Sequence, residues 1–335
     1  MKSVRIAING FGRIGRTTLK AGWGMKGVEF VAINDLTDTK TLAHLLKHDS
    51  VYRDWPHEVF FKEKSLIIDG KEILAFAEKD PKVLPWKKLN IDVVLECTGF
   101  FTKGEDASQH LTAGAKKVII SAPSKGEGVN TYLLGVNAEK YKGEKVIDNG
   151  SCTTNCIAPI ADIIVSKWGV GKAWMTTTHA VTADQRLVDA PHKDLRRARS
   201  AYSSIVPTTT GAAVAVGKVI TSLQGKFDGI SMRVPVADVS LADFTFVLNK
   251  KTTIEEVNKY FKQLSKTAKY KGILGVTEEP LVSSDFIGDS HSAIVDLSLT
   301  RVIDGDLLKV IAWYDNEWGY SCRLIELAKF IGDKS

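Results

Sequence analysis

Apolar and polar positions alternate along the chain in two distinct rhythms. Residues 4–9, VRIAIN, form a nearly continuous β-prone apolar run, as expected for a parallel strand buried on both faces. Comparable runs occur in EFVAIND at 29–35, IDVVLECTGF at 91–100 and KKVIISAP at 116–123, each closing on small or turn-forming residues. In a parallel sheet such closures line up where a ligand crevice opens. Between the first two runs, RTTLKAGW at 16–23 is compatible with a helix. The first half therefore predicts a doubly wound parallel sheet.

The second rhythm is helical. In SCTTNCIAPIADIIVSKWG at 151–169 the later residues are apolar at helical spacing, and Ser151, Thr153 and Asn155 offer caps at its start. Pro159 conflicts with a regular helix from Ser151, which places the start later or kinks the first turns. CRLIELAKFIG at 322–332 carries Leu324, Leu327, Ala328 and Ile331 at helical spacing. The runs WMTTTH at 174–179 and LLKVIAWY at 307–314 are strand-like.

At 335 residues the chain exceeds the usual size of one hydrophobic core, so two domains are expected. Hydrophobic residues at 44% and charged residues at 25% exclude a disordered or fibrous chain. The net charge of +6 comes without any nucleic-acid module pattern and suits an enzyme of anionic substrates. Four cysteines without paired-ligand spacing argue against a disulfide scaffold and a zinc site. The N-terminus has no long apolar region or cleavage site, and no stretch is long enough to span a bilayer, so a soluble cytoplasmic protein is expected.

Directly after the first strand, Gly10, Gly12 and Gly15 give G-x-G-x-x-G, with Arg13 and Ile14 inside the turn. Glycines let backbone approach a pyrophosphate, and the N–H groups of the following helix N-terminus attract its charge. Asp35 closes the next strand twenty residues after Gly15, where a carboxylate accepts hydrogen bonds from ribose hydroxyls. Cys97 lies among apolar neighbours and reads as a buried, inert thiol.

Cys152 and Cys156 stand four positions apart. A metal lacks further ligands at the usual spacing, and a disulfide between i and i+4 on one helix strains the bridge geometry. Cys152, near a helix N-terminus that favours thiolate, is the nucleophile candidate, and Cys156 a packed thiol. His179, ending a β-prone run, is the candidate base and can ion-pair with the cysteine to lower its pKa.

INGFGRIGR, SCTTNC, PHKDLRRAR, PTTTGAA, MRVP and WYDNEWGYS, in this order, make the chain resemble the phosphorylating glyceraldehyde-3-phosphate dehydrogenases over nearly its whole length. The resemblance implies a Rossmann-type domain over 1–150, completed by a C-terminal helix at 316–335, and an α+β catalytic domain with a mixed or antiparallel sheet over 151–315. It implies that Cys152 attacks the aldehyde of glyceraldehyde 3-phosphate, that His179 is the base, that hydride passes to NAD, and that inorganic phosphate releases the thioester. Ser151, Thr153, Thr210 and Gly211 match the inorganic phosphate site. Thr182, Arg197 and Arg233 match contacts to the substrate's own phosphate, where a guanidinium binds oxygens as a fork. Ser121 and Asn316 match residues near the nicotinamide. A homotetramer with no dedicated nucleic-acid or membrane partner is implied.

Lys79 departs from the arginine common in the family and keeps the charge without the planar fork. Ala190 followed by Pro191 is half of the NAD-specific pattern and half of the NADP-using one; Asp35 would repel a 2'-phosphate, which favours NAD. An erythrose-4-phosphate dehydrogenase on the same scaffold and a catalytically silent NAD-binding regulatory protein are the alternatives.

Overall fold

The computed structural model describes residues 3–334. Met1, Lys2 and Ser335, the extreme ends of the segments expected to form the first domain, lie outside the described residues. The chain divides into two compact units, one of residues 1–150 with 321–335 and one of residues 151–320.

In the first unit the apolar runs become β1 (Val4–Asn9), β2 (Val28–Asn34), β6 (Val93–Glu96), β7 (Lys117–Ile120) and β9 (Val146–Asp148), with β3 (Val59–Lys62), β4 (Ser65–Ile68), β5 (Lys71–Phe76) and β8 (Asn130–Thr131) completing the sheet. The nine strands are ordered β3-β4-β5-β2-β1-β6-β7-β9-β8. All pair in parallel except at the β3-β4-β5 edge. Central β1 runs between β2 and β6, and this reversal of strand order is where open α/β sheets form their ligand crevice. Helices α1 (Arg13–Gly22), α2 (Thr39–Lys47), α3 (Gly104–Ala107) and α4 (Gln109–Thr112) accompany the strands.

The second unit opens with α5 (Cys152–Trp168). Pro159 sits inside this helix. An interior proline costs roughly 3 kcal/mol through its missing N–H and its ring, and burial of most of the helix around it offsets this, since Ile157, Ala158, Ile160, Ala161, Ile163 and Ile164 are all buried. Helices α6 (Ala212–Val219) and α7 (Ile254–Leu264) follow. The mixed sheet holds β10 (Val170–His179), β11 (Val206–Thr209), β12 (Phe227–Arg233), β13 (Ser240–Leu248), β14 (Leu274–Thr277), β15 (Ala293–Asp296), β16 (Arg301–Ile303) and β17 (Leu307–Tyr314). Its main order is β11-β12-β10-β13-β17-β15-β14, and β16 pairs with β17. Along β13 buried and half-buried residues alternate strictly, the period-2 pattern of a sheet with one covered face.

The last helix, α8 (Trp318–Gly332), starts where the Asp315 carboxylate accepts hydrogen bonds from the Glu317 and Trp318 amides. Leu324, Leu327, Ala328 and Ile331 are fully buried, and so is Ile325 between them, so the apolar surface is wider than a single stripe. Among the described residues no helix is long and apolar enough to cross a membrane.

Candidate active site

Two sets of functional side chains are built separately, one in each unit. In the first unit a cleft of about 540 Å³ lies at the carboxyl ends of the parallel strands, bordered by Gly10, Gly12, Asp35, Lys79, Thr98 and Phe101 among others. The three motif glycines do different physical work. Gly10 has φ +90°, and a Cβ there would meet the Thr98 amide nitrogen at 2.6 Å. A Cβ on Gly15 would meet the Gly10 carbonyl oxygen at 2.2 Å, so close helix–strand packing requires the glycine. Gly12 has nothing within 4 Å of its Cβ position and caps the N-terminus of α1, leaving its backbone open to a phosphate. This arrangement fits a dinucleotide.

Asp35 is half-buried, and its two carboxylate oxygens are aimed by the Phe11 amide at 2.7 Å and the Thr37 amide at 2.9 Å. Arg13 is held by an ion pair to Asp49 at 2.9 Å and lies 5.7 Å over the Tyr52 ring. Asp49 also receives Lys20 and the Val51 and Tyr52 amides; against its burial, these two amides and Arg13 hold its carboxyl at about 2. Ile14 is half-buried in the first turn of α1, and the Ser121 amide donates to the Glu96 carbonyl at 3.0 Å. Cys97, expected to be a buried, inert thiol, is half-buried and borders the cleft at a strand end; its thiol is nonetheless pushed up to about 12 by burial, which keeps it unreactive.

In the second unit Ser151 caps α5, its hydroxyl accepting from the Thr154 amide at 3.1 Å, and this sets Cys152 in the first turn. The Cys152 sulfur lies 3.5 Å from His179 Nε2. Parallel pairing of β10 with β12 puts His179 in register with Arg233, whose Nη1 is 2.9 Å from His179 Nδ1, 3.2 Å from the Ala180 carbonyl and 3.3 Å from the Thr182 hydroxyl. His179 Nδ1 is also 2.7 Å from that carbonyl. A nitrogen that donates to a carbonyl cannot accept from a guanidinium, so the consistent tautomer carries its proton on Nδ1 and leaves Nε2 to accept from the thiol.

The resting pair differs from the expected thiolate–imidazolium. Burial, helped by Arg233, pushes His179 down to about 3. Burial also raises the Cys152 thiol, against the pull of Arg233 and the Thr153 hydrogen bonds. Removal of both groups from water outweighs the helix N-terminus. Cys156 is buried with its thiol raised, and all four cysteines are free.

Of the phosphate candidates, Ser151 and Thr153 flank Cys152 in the chain, and Arg233, which contacts His179, also reaches Thr182. Arg197 binds Thr208 Oγ1 at 2.9 Å and is ion-paired with Asp184 and, at 3.5 Å, with Asp194; its charge still depresses His179. The Thr153 hydroxyl contacts the Tyr314 hydroxyl at 3.0 Å, and Tyr314 reaches Thr177 at 2.8 Å. The Thr210 hydroxyl accepts from the Ala212 amide at 3.2 Å, and Gly211 caps α6. Asn316 is buried, its carbonyl oxygen receiving the Ser240 hydroxyl at 2.6 Å while that hydroxyl accepts from the Ala180 amide. The partners Asp184, Asp194, Ser240, Tyr314 and Asp49 escape sequence reasoning: Asp194 and Tyr314 stand inside PHKDLRRAR and WYDNEWGYS, but each of the five acts through a fold contact that residue order does not display.

A dinucleotide cleft on a parallel sheet and a thiol set against an imidazole are the marks of an NAD-dependent oxidoreductase. Residues 4–104 match the family model described as the glyceraldehyde 3-phosphate dehydrogenase NAD binding domain, and residues 151–316 match the one described as the C-terminal domain. The chain is 52% identical over 334 residues to the glyceraldehyde-3-phosphate dehydrogenase of Geobacillus stearothermophilus, covering 99% of each. It is 51% identical to that of Zymomonas mobilis, covering 97% of this chain and 98% of the relative, and 50% identical to glyceraldehyde-3-phosphate dehydrogenase 1 of Bacillus subtilis, covering 99% of each. The chain belongs to the glyceraldehyde 3-phosphate dehydrogenase family.

Proposed function

We propose that the protein, as a cytoplasmic homotetramer, oxidises glyceraldehyde 3-phosphate with inorganic phosphate to 1,3-bisphosphoglycerate. The observation that carries this reading is the 3.5 Å approach of Cys152 Sγ to His179 Nε2 beside the Arg233 guanidinium.

Cys152 Sγ forms a bond to the aldehyde carbon as His179 Nε2 takes the thiol proton and passes it to the carbonyl oxygen, giving a thiohemiacetal on the protein. NAD bound in the cleft supplies the hydride acceptor. His179 Nε2 takes the hydroxyl proton of the thiohemiacetal as the carbonyl reforms, leaving a thioester on Cys152. Inorganic phosphate, held by Ser151, Thr153, Thr210 and Gly211, attacks the thioester carbon; the C–S bond breaks and the sulfur recovers the proton. Arg233, Thr182 and Arg197 hold the substrate's own phosphate, whose negative charge offsets the Arg233 charge that depresses His179 and so makes the imidazole a stronger base. Asn316, with its carbonyl oxygen taken by Ser240, keeps its amide N–H free of that bond and would hold the nicotinamide carboxamide with it.

Initial rates with the three-carbon and four-carbon aldehyde phosphates, each with and without inorganic phosphate, test this. Phosphate-dependent turnover favouring glyceraldehyde 3-phosphate is expected. Phosphate-independent turnover favouring erythrose 4-phosphate contradicts it.

A further inference from the structure

Beneath the nucleotide cleft lies a buried polar network that contacts with a ligand do not explain. Strand register sets Asn9 beside Asn34 on one side and beside Glu96 on the other, so three polar side chains stand in a row at the carboxyl ends of β2, β1 and β6. All three are buried, Glu96 to 1% exposure. A carboxylate is tolerated at such a depth only when its oxygens are hydrogen-bonded. Glu96 Oε1 accepts from the Thr98 amide at 2.8 Å and from the Thr98 hydroxyl. Its Oε2 accepts from Asn9 Nδ2 at 2.6 Å and from His110 Nε2 at 3.1 Å.

The direction of each bond is determined. An indole N–H only donates, so the 3.0 Å contact of Trp86 Nε1 with His110 Nδ1 makes Nδ1 the acceptor and leaves the ring proton on Nε2, aimed at Glu96. Asn9 then points Nδ2 at Glu96 and receives Asn34 Nδ2 on Oδ1 at 2.7 Å. Asn34 clasps the backbone of Glu78, donating to its carbonyl at 2.9 Å and accepting from its amide at 2.8 Å. Asn9, Asn34, Glu78 and Thr98 border the cleft, whereas Glu96, His110 and Trp86 do not.

The geometry points to Glu96 and His110 as positioning residues that set, through Asn9, Asn34 and Thr98, the shape of the NAD cleft at the end Asp35 borders. This rests on the cleft holding NAD. Trp86 belongs to an apolar core cluster of the first unit, so the network ties the cleft's polar rim to that core. An uncharged residue at 96 lacks acceptors for all four donors, and the cheapest relief is rotation of Asn9 or Thr98, which deforms the cleft.

The test is a polarity swap. Glu96→Gln sets an amide N–H group against donors already pointing at it and is expected to raise the KM and Kd for NAD about tenfold, the size of one unsatisfied buried group. The kcat at saturating NAD and the KM for the aldehyde should stay within about twofold of wild type, inside the error of a single-site effect. Adding Asn9→Asp keeps the acceptor for Asn34, gives one to the amide of Gln at 96, and places an oxygen where Asn9 Nδ2 now lies 3.3 Å from His110 Nε2. The double variant should regain NAD affinity to within about threefold of wild type. Trp86→Phe, which frees His110 Nδ1 and keeps the ring packed, should weaken NAD by about threefold and decides the matter if Glu96→Gln does not fold. Wild type that binds NAD alongside a folded Glu96→Gln that binds it equally well overturns the inference and leaves the cofactor reading intact. So does a folded double variant no better than the single, or an unchanged Kd in Trp86→Phe. Wild type that binds no NAD overturns both.

Discussion

The nucleotide cleft and the thiol site solve opposite electrostatic problems. Around the cleft, charged groups are satisfied before any ligand arrives: Asp49 is ringed by Arg13, Lys20 and two amides, and Glu96 by four donor groups. At the thiol site the balance is left incomplete. Arg233 is pressed against a histidine that can offer it no acceptor, and its buried Nε has no hydrogen-bond partner among the described residues. A saturated network makes a stiff template whose affinity comes from preorganisation, while an uncompensated cation in a dry site is completed only by an incoming anion.

The sharpest way to break the comparison is at His179. His179→Asn keeps a polar group against Ala180 but removes the base, and turnover should fall by about 100-fold or more while NAD affinity is unchanged. NADH formation at saturating substrate, with NAD titration alongside, checks this, and equal turnover would remove His179 from the chemistry.

Next comes Asp35. Its carboxylate is aimed across the cleft by two amides and is expected to take the ribose hydroxyls of NAD and repel the 2'-phosphate of NADP. Asp35→Gly should lower the NAD to NADP ratio of kcat/KM by about tenfold or more, the size of a lost charge-assisted bond. Pro191→Ser should add to the shift. An unmoved ratio would mean that Asp35 does not read the ribose.

A smaller effect is thermodynamic. His179 titrates near 3 when folded against an ordinary value of 6.5, so in that window the unfolded chain binds a proton that the folded chain does not. Stability therefore rises with pH between these values, by up to about 1.4 kcal/mol per unit from this site, and is lost as pH falls. Urea unfolding at pH 7, 6 and 5 should show a flatter pH slope in His179→Asn than in wild type. Identical slopes would show that the imidazole is not held neutral by burial and Arg233.

Much of this was legible in the sequence because the signals were local. Strand, glycine turn and helix follow one another directly at 4–23, and Asp35 closes the next strand, so the cleft could be read from spacing alone. Cys152 and its capping residues are likewise neighbours in the chain. Pairing between distant strands was not legible. Nothing near His179 announces that β12 brings Arg233 into register with it, and the resting protonation of the pair turned on burial, which residue order does not display. Glu96 and His110 escape for the same reason: in VVLECTGF and SQHLTAG each looks like ordinary punctuation, and only the pairing of β6 with β1 and the approach of His110 and Trp86 to it gives them their long-range partners. Pro159 runs in the other direction, since a local rule against proline inside helices gives way to burial of the residues around it.

The central claim is that Cys152 carries the acyl group. The most direct measurement mixes the protein with NAD and glyceraldehyde 3-phosphate in the absence of inorganic phosphate, quenches in acid, and locates the adduct by peptide mass spectrometry. The account predicts one NADH per occupied site and a phosphoglyceroyl thioester on Cys152, discharged when phosphate is added before the quench and absent in Cys152→Ser. An adduct on Cys156, or NADH formed with no thioester at any cysteine, would contradict it.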